Sequence, residues 1–228
     1  MAEVARHALR HGYTNTTTTD GRSVVKRYRG PDAAVRQRNE INALSGLAGH
    51  LPVPPILAVA DGEVTLALLP ERPGQELLEE QPEPVLYATG RLARRLASVQ
   101  LSELAGLDAT PGGTVLVHGD FGPQNLLLDE DTAEPTALVD WEFAHLGDPV
   151  EDIAWAEWIV RTHHGHLTAA LPALFAGYGA EPPWRVRHES MLAKCRWLLG
   201  FARRWPDPAQ TGVELWQHRL AATAAFTP

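Results

Sequence analysis

The fold is decided by a polar loop between two short apolar runs near the middle of the chain. Residues 117–128 read Val-His-Gly-Asp-Phe-Gly-Pro-Gln-Asn-Leu-Leu-Leu. This pattern predicts a β-strand on each side of a loop that carries His118, Asp120 and Asn125. Loops at strand ends hold polar side chains on a rigid scaffold while they face solvent, and catalytic residues are often found there.

A second acidic motif follows fifteen residues after Asn125. Residues 138–142 read Leu-Val-Asp-Trp-Glu, so Asp140 and Glu142 stand at the end of another apolar run. Transfer of a phosphoryl group needs metal ions held by oxygen ligands and a carboxylate close to the attacking hydroxyl. Asp120, Asn125 and Asp140 provide such a set of side chains.

The pattern outside these motifs divides the chain into a β-rich part and a helical part. We predict a strand over 23–28, a helix over about 32–48 and a hairpin formed by 56–60 and 64–69. Residues 71–84 are rich in proline, glycine and acids, which predicts a hinge with a solvated acidic face. Helical periodicity dominates after residue 149, and the candidates for its core are Trp155, Trp158, Trp197, Leu198 and Phe201.

Composition excludes several classes of protein. With 44% hydrophobic and 21% charged residues, the chain is neither disordered nor fibrous. The net charge of −8 argues against a nucleic-acid partner, and no apolar run reaches the roughly 18 residues that span a bilayer. A single cysteine, Cys195, and a first segment without the apolar core of a secretion signal indicate a cytoplasmic protein. The sequence gives no indication of the oligomeric state.

Three motifs in this order resemble the aminoglycoside phosphotransferase and choline kinase-like family. They are the His-x-Asp-x₄-Asn loop, the Asp-x-Glu motif and residues 147–154, which read Gly-Asp-Pro-Val-Glu-Asp-Ile-Ala. The resemblance extends from about residue 9 to about residue 201. It implies an α+β, protein-kinase-like bilobal fold, with a nucleotide-binding lobe over 1–70, a hinge over 71–84 and a catalytic, acceptor-binding lobe over 85–228. It also implies a Mg²⁺-dependent kinase that transfers the γ-phosphate of ATP or GTP to a hydroxyl of a small acceptor.

The resemblance also implies roles for residues of the two central motifs. Asp120 would orient the acceptor hydroxyl or accept its proton, and His118 would brace the catalytic loop. Asn125 and Asp140 would hold the magnesium ions, with Glu142 assisting. Asp152, in the following helix, would form hydrogen bonds with the catalytic loop.

For the nucleotide, the resemblance implies contacts from the first lobe. Lys26 would contact the phosphates, with Glu40 as its ion-pair partner. The phosphate-covering loop is poor in glycine compared with protein kinases, and together with the hinge it adds five candidates: Thr14, Asn15, Thr16, Leu69 and Glu71. The interval of 47 residues between Glu71 and Val117 is short, which predicts an open pocket or an unusual acceptor.

The acceptor itself is left open by the sequence. An aminoglycoside or another cationic antibiotic is favoured because the family is rich in such enzymes and the chain is acidic, but choline, an amino alcohol or a sugar fits as well. Two hypotheses of another class are a nucleotide-binding protein without phosphotransfer and a metal-dependent hydrolase that uses His118 and Asp120. His163, His164 and His166 are predicted to be surface groups, and Cys195 is predicted to be a small buried residue.

Overall fold

The first part of the chain forms an antiparallel sheet with one long helix packed against it. The computed structural model describes residues 7–8, 14–100, 106–206 and 212–228. The sheet has the strand order β1-β2-β3-β5-β4, and helix α1 follows β3 in the chain. The bounds of these elements are His7–Ala8 (β1), Asn15–Thr19 (β2), Ser23–Tyr28 (β3), Ala33–Leu47 (α1), Ile56–Ala60 (β4) and Glu63–Ala67 (β5). The strand, helix and hairpin expected from the sequence are therefore confirmed.

The segment predicted to be a hinge is mostly regular structure, and its role as a hinge between lobes stays a prediction. Residues 68–71 lead from β5 into strand β6 (Arg72–Pro73), helix α2 (Gly74–Glu80) and helix α3 (Pro82–Ala97). Proline and glycine stand at the starts of helices here, where proline is tolerated because the first amides have no partner inside the helix. The side chains of Leu77 and Leu78 are fully buried, so only part of this segment faces solvent. The division into lobes at 1–70 and 85–228 stays a prediction.

Two small sheets bring the central motifs side by side. Strand β7 (Val115–Val117) pairs with β10 (His145–Gly147), and His145 lies opposite Val117. Strand β8 (Leu126–Leu128) pairs with β6 on one side and with β9 (Pro135–Leu138) on the other. Because β7 and β10 are neighbours, and β8 and β9 are neighbours, the loop 118–125 lies next to the segment 139–144.

The remainder of the described chain is helical, as predicted. It contains the helices α4 (Val150–His163), α5 (Leu171–Tyr178), α6 (Trp184–Ala202) and α7 (Val213–Ala224). Helices α3 and α5 approach closely because Gly90 and Gly177 face the partner backbone. A Cβ atom on Gly90 would overlap the carbonyl oxygen of Leu174, and one on Gly177 would overlap that of Tyr87. In the part of the chain that the structure describes, no helix is both long and apolar enough to cross a membrane.

One of the predicted core residues does not belong to the core. Trp155, Trp158 and Phe201 are buried, and Leu198 is partly buried against the core. Trp197 is 44% exposed. Its ring stacks on Phe201 and lies on the wall of a cleft, so helical periodicity identified the side of α6 that packs inward but not the opening beside it.

Candidate active site

The loop 118–125 is held by the buried imidazole of His118. Its Nδ1 accepts a hydrogen bond from the backbone N–H of Asp120 at 3.2 Å, and Nε2 donates to the carbonyl oxygen of Val139 at 3.0 Å. Burial lowers the pKa of His118 to about 3, so the ring is neutral at physiological pH. His118 therefore positions the loop from within the protein and connects it to the end of β9.

Asp152 fixes the same loop from the first turn of α4, as the resemblance implied. Its Oδ2 accepts from the N–H of His118 at 2.8 Å, and its Oδ1 accepts from the N–H of Gly119 at 3.0 Å. Burial raises the pKa of Asp152 to about 6, although the two hydrogen bonds oppose that shift. Gly119 has φ +83°, and a Cβ there would overlap the carbonyl oxygen of Phe143, so this turn requires glycine.

The carboxylate of Asp120 is oriented by two donors. Trp155 Nε1 donates to Oδ1 at 2.9 Å, and Asn125 Nδ2 donates to Oδ2 at 3.0 Å and to the Asp120 carbonyl at 2.7 Å. Burial raises the pKa of Asp120 to about 6, and the charge of Asp140 adds to the increase. The group is therefore mostly ionised at pH 7 but protonates only slightly below it, which suits a group that accepts a proton during a reaction.

Lys26 joins the sheet to the second acidic motif. Its Nζ lies 2.6 Å from Glu40 Oε2, which is the ion pair predicted from the sequence, and it also contacts Asp140. The hydroxyl of Tyr28 donates to the same Glu40 oxygen. Burial alone would lower the pKa of Lys26, but the carboxylates of Asp140, Glu142 and Glu40 outweigh it and raise that pKa well above its ordinary value. Lys26 is charged throughout the physiological range.

Glu142 is the most completely bonded acid of the site. Thr14 Oγ1 donates to Oε1 at 2.6 Å, while Asn15 Nδ2 and Arg36 Nη1 donate to Oε2 at 2.6 Å and 2.7 Å. The residue is 1% exposed. Its two oxygens therefore link the start of β2 and helix α1 to the segment after Asp140, and they are engaged with protein donors in this arrangement.

Asp140 differs from its neighbours in its backbone and in its exposure. It has φ +68° and ψ +58°, a left-handed conformation that is strained for a residue with a side chain. Its carboxylate is 32% exposed, whereas those of Glu40 and Glu142 are 1% exposed. Strained backbone that presents an acid to solvent is typical of functional sites.

In the described part of the chain, no side-chain hydrogen bond or ion pair joins the remaining sequence candidates to this cluster. Thr16 continues β2 opposite Arg27, and Leu69 and Glu71 lie in the connection 68–71. His164 and His166 both contact Glu79, and in the ranges that the structure describes no group of three histidine, cysteine or acidic side chains is arranged to hold a metal ion. Cys195 is buried, as predicted.

A cleft of about 820 Å³ opens beside the loop 118–125. Its walls include Gly119, Glu142 and residues of α4 and α6. Two cations of the wall, Arg36 and Lys194, were not singled out from the sequence. Arg36 lies one helical turn before Glu40, so its place on the same face of α1 could have been found from the spacing.

The charges of the site favour an added cation. Four acids meet here, Glu40, Asp120, Asp140 and Glu142, against the three cations Lys26, Arg36 and, across Trp155 from Asp120, Lys194. Asp140 is partly exposed, and Asn125 uses its amide nitrogen on Asp120, which leaves its side-chain oxygen for a ligand. Carboxylate and amide oxygens are hard ligands suited to Mg²⁺, so the donor set fits that ion.

A lysine on a strand, a glutamate on the next helix and paired aspartate loops define the class of protein-kinase-like phosphotransferases. The sequence matches the phosphotransferase enzyme family (APH) over residues 6–113 and 101–189, and the chain belongs to this family. Viomycin phosphotransferase of Streptomyces vinaceus is 36% identical over 127 residues, which cover 51% of this chain. The match spans only 39% of the length of that relative.

Solved structures confirm the protein-kinase-like fold. The gentamicin–APH(2'')-IIa complex superposes with a TM-score of 0.70 and 12% identity, covering 98% of this chain and 92% of the other. A choline/ethanolamine kinase family protein from Mesorhizobium loti gives a TM-score of 0.69 and 17% identity, covering 98% and 89%. The fold expected from the resemblance is therefore the fold observed.

Proposed function

We propose that the chain is a Mg²⁺-dependent small-molecule kinase that transfers the γ-phosphate of ATP or GTP to a hydroxyl of a small acceptor. The observation that carries this proposal is the geometry of Asp120, whose two oxygens are held by Trp155 and Asn125 beside an open cleft. An aminoglycoside or related antibiotic is the leading acceptor, because the 36% identical relative is a viomycin phosphotransferase. A metabolic kinase for choline, an amino alcohol or a sugar is the alternative.

Asp120 would act on the acceptor hydroxyl. Its carboxylate is fixed by donors on both oxygens, so it is oriented before an acceptor arrives. It would hold the hydroxyl by a hydrogen bond and take its proton as the phosphoryl group is transferred. His118 and Asp152 would act only by positioning the loop, since His118 is buried and the Asp152 carboxylate bonds backbone amides.

Lys26, Asn125 and Asp140 would form the nucleotide side of the site. Lys26 is held by Glu40 and stands in contact with Asp140, so its ammonium can turn towards phosphate oxygens that bind there. Asn125 and Asp140 would hold Mg²⁺, which when bound neutralises charge on the phosphates. Glu142 would keep β2, with Thr14 and Asn15, above the phosphates. Leu69 and Glu71 are proposed to meet the purine.

Acceptor-dependent release of ADP or GDP tests the function directly. The panel would contain aminoglycosides, viomycin, other hydroxylated antibiotics, choline-type amino alcohols and sugars. Asp120→Asn serves as the blank, and Asp131→Asn, which changes an exposed acid in the β8–β9 turn, serves as the matched control. We expect release that wild type and Asp131→Asn share and Asp120→Asn lacks. Equal release by Asp120→Asn would contradict the mechanism.

Binding of nucleotide without any release would favour a nucleotide-binding protein without phosphotransfer. Release of phosphate from substrates other than a nucleotide, supported by a tightly bound transition metal, would favour the hydrolase hypothesis. With its single cysteine buried, the chain suits a reducing compartment, and we propose that the kinase acts in the cytoplasm.

A further inference from the structure

The chain contains only two lysines, and both lie at the site. Eighteen of its twenty basic residues are arginine, and the two lysines are Lys26 and Lys194. Lys26 is part of the cluster around Asp140, and Lys194 lies on the wall of the cleft in helix α6. Lysine differs from arginine in that its compact ammonium can lose charge when it is buried and can point three donors at one ligand.

Lys194 is held by aromatic rings. Its Nζ lies 4.3 Å from the ring centre of Trp197, 5.3 Å from that of Phe143 and 6.0 Å from that of Trp155. Within the described ranges no carboxylate oxygen lies within 4 Å of this nitrogen. Burial lowers its pKa, although more distant acids oppose the shift. Rings attract the cation but accept none of its strong hydrogen bonds, so its N–H groups stay available to a ligand in the cleft.

The same indole connects Lys194 to the catalytic carboxylate. The ring of Trp155 lies beside the Lys194 ammonium, and the indole Nε1 donates a hydrogen bond to Asp120 Oδ1 at 2.9 Å. The charge of Lys194 also lowers the pKa of Asp120 against the effect of burial. An acceptor whose hydroxyl meets Asp120 therefore places its neighbouring atoms near a cation that lacks a close acid.

We propose that Lys194 determines acceptor specificity: its ammonium donates a hydrogen bond to an acceptor oxygen next to the phosphorylated hydroxyl. This inference rests on the proposed function and narrows its acceptor. The site takes hydroxyls flanked by a second oxygen, as in vicinal diols, sugar rings and hydroxy acids. A cationic nitrogen in the place of that oxygen, as in choline and simple amino alcohols, is disfavoured because it would meet the charge of Lys194 in a partly desolvated cleft. Amines elsewhere on a larger acceptor would face acids of the cleft wall such as Glu151 and Glu189.

Kinetics of three variants test this role. Lys194→Met removes the charge but keeps an unbranched side chain against the rings, and Lys194→Arg keeps the charge. Arg196→Met makes the same change of charge at an exposed position of α6, outside the cleft. We expect Lys194→Met to raise the KM for a diol-type acceptor at least about tenfold, the size of one lost charged hydrogen bond, with the KM for nucleotide unchanged. The acceptor KM of Lys194→Arg should lie between those of wild type and Lys194→Met, and that of Arg196→Met should equal the wild-type value.

Two kinetic results would overturn the proposal. One is an unchanged acceptor KM in Lys194→Met. The other is efficient phosphorylation of choline by wild type that Lys194→Met does not improve. Thermal melting of each variant separates a change in binding from a change in folding.

A binding measurement tests Lys194 even if no acceptor in the panel is turned over. Labelling with ¹³Cε-lysine gives NMR signals from just the two lysine side chains and leaves their ammonium groups unmodified, and Lys194→Arg assigns the Lys194 signal. We expect sodium gluconate, a polyhydroxylated acid, to shift that signal saturably, and choline chloride at equal concentration to leave it unmoved. No shift with gluconate, or an equal shift with choline, would refute the proposal. A gluconate-specific shift without turnover of any acceptor would keep the Lys194 site and favour the nucleotide-binding protein without phosphotransfer.

Discussion

Two ion-pair clusters in this molecule are built around buried acidic and basic side chains but differ in their balance of charge. The cleft cluster consists of Lys26, Arg36, Glu40, Asp140 and Glu142. The helical cluster consists of Glu157, Arg161, Glu181 and Arg187, in which Arg187 and Arg161 each lie 2.8 Å from Glu157 and Arg187 lies 2.9 Å from Glu181. The first has three acids against two cations, and the second has two against two.

The difference explains why buried charge alone does not identify a site. Glu157 is fully buried, and the Arg187 guanidinium packs on the ring of Phe175, so the helical cluster has a closed centre and balanced charge, with Glu181 at its exposed edge. The cleft cluster has surplus negative charge, with Asp120 close by, and it presents the partly exposed Asp140 on strained backbone. An excess of acid at an opening is suited to a cation such as Mg²⁺, whereas a balanced closed cluster is suited to holding helices together.

Among the substitutions that test this comparison, Asp120→Asn should have the largest effect, which is a loss of turnover. Turnover should fall about 10²–10⁴-fold because the amide cannot take the hydroxyl proton. Nucleotide affinity, measured by titration with a fluorescent nucleotide, should change less than about threefold, because Asp120 is not among the ion-pair partners of Lys26. A comparable loss of nucleotide affinity would show that the cleft carboxylates act as one unit.

Arg187→Met should lower the stability of the protein and leave its turnover unchanged. Removing one partner of a buried pair costs about 3–5 kcal/mol in the free energy of unfolding, because the charge left behind is uncompensated. Urea denaturation measures this loss, and turnover per folded molecule should stay within about twofold of wild type. The double variant Glu157→Gln/Arg187→Met should recover part of the stability. Loss of turnover in the folded protein would mean that the helical cluster also supports the site.

Asp140→Asn tests whether Asp140 contributes to nucleotide binding through Mg²⁺. In the presence of Mg²⁺ we expect nucleotide affinity to fall at least about tenfold, since a charged metal ligand is lost. In EDTA the variant should bind nucleotide as well as wild type or better, because one carboxylate fewer repels the phosphates. Parallel titrations measure nucleotide affinity with Mg²⁺ and in EDTA. An equal loss of affinity under both conditions would place Asp140 outside the metal site.

The smallest effect is a dependence of rate on pH. Asp120 must be ionised to accept a proton, and its pKa is raised to about 6, so kcat/KM should fall as the pH drops through 6. At pH 5 the rate should be about tenfold below its plateau. Lys194→Met should move this fall in kcat/KM to higher pH, because the charge of Lys194 lowers the pKa of Asp120. Lys194→Arg keeps the charge and should leave the pH dependence unchanged. A fall in kcat/KM of the wild type only near pH 4 would contradict the burial of Asp120.

Much of the fold and part of the site follow from local sequence. The strand over 23–28, the helix after it and the hairpin around residues 61–62 were predicted because each has its own periodicity and turn residues. The pair of Lys26 with Glu40 followed from the resemblance. The helices within 71–84 were not predicted because proline and glycine also stand at helix starts. Trp197 was misplaced because periodicity does not show where a cleft opens.

The sequence by itself determined which chemical groups are available: a loop with Asp120 and Asn125, an acid motif fifteen residues later, and a lysine on a strand. Only the tertiary structure decided their surroundings. Glu142 is bonded by Thr14 and Arg36, which are 128 and 106 residues away, and Lys194 reaches the cleft from α6. Local preferences act over one or two turns of chain, whereas burial and charge pairing depend on which distant segments pack together. The balance of charge at the site is therefore a property of the folded protein.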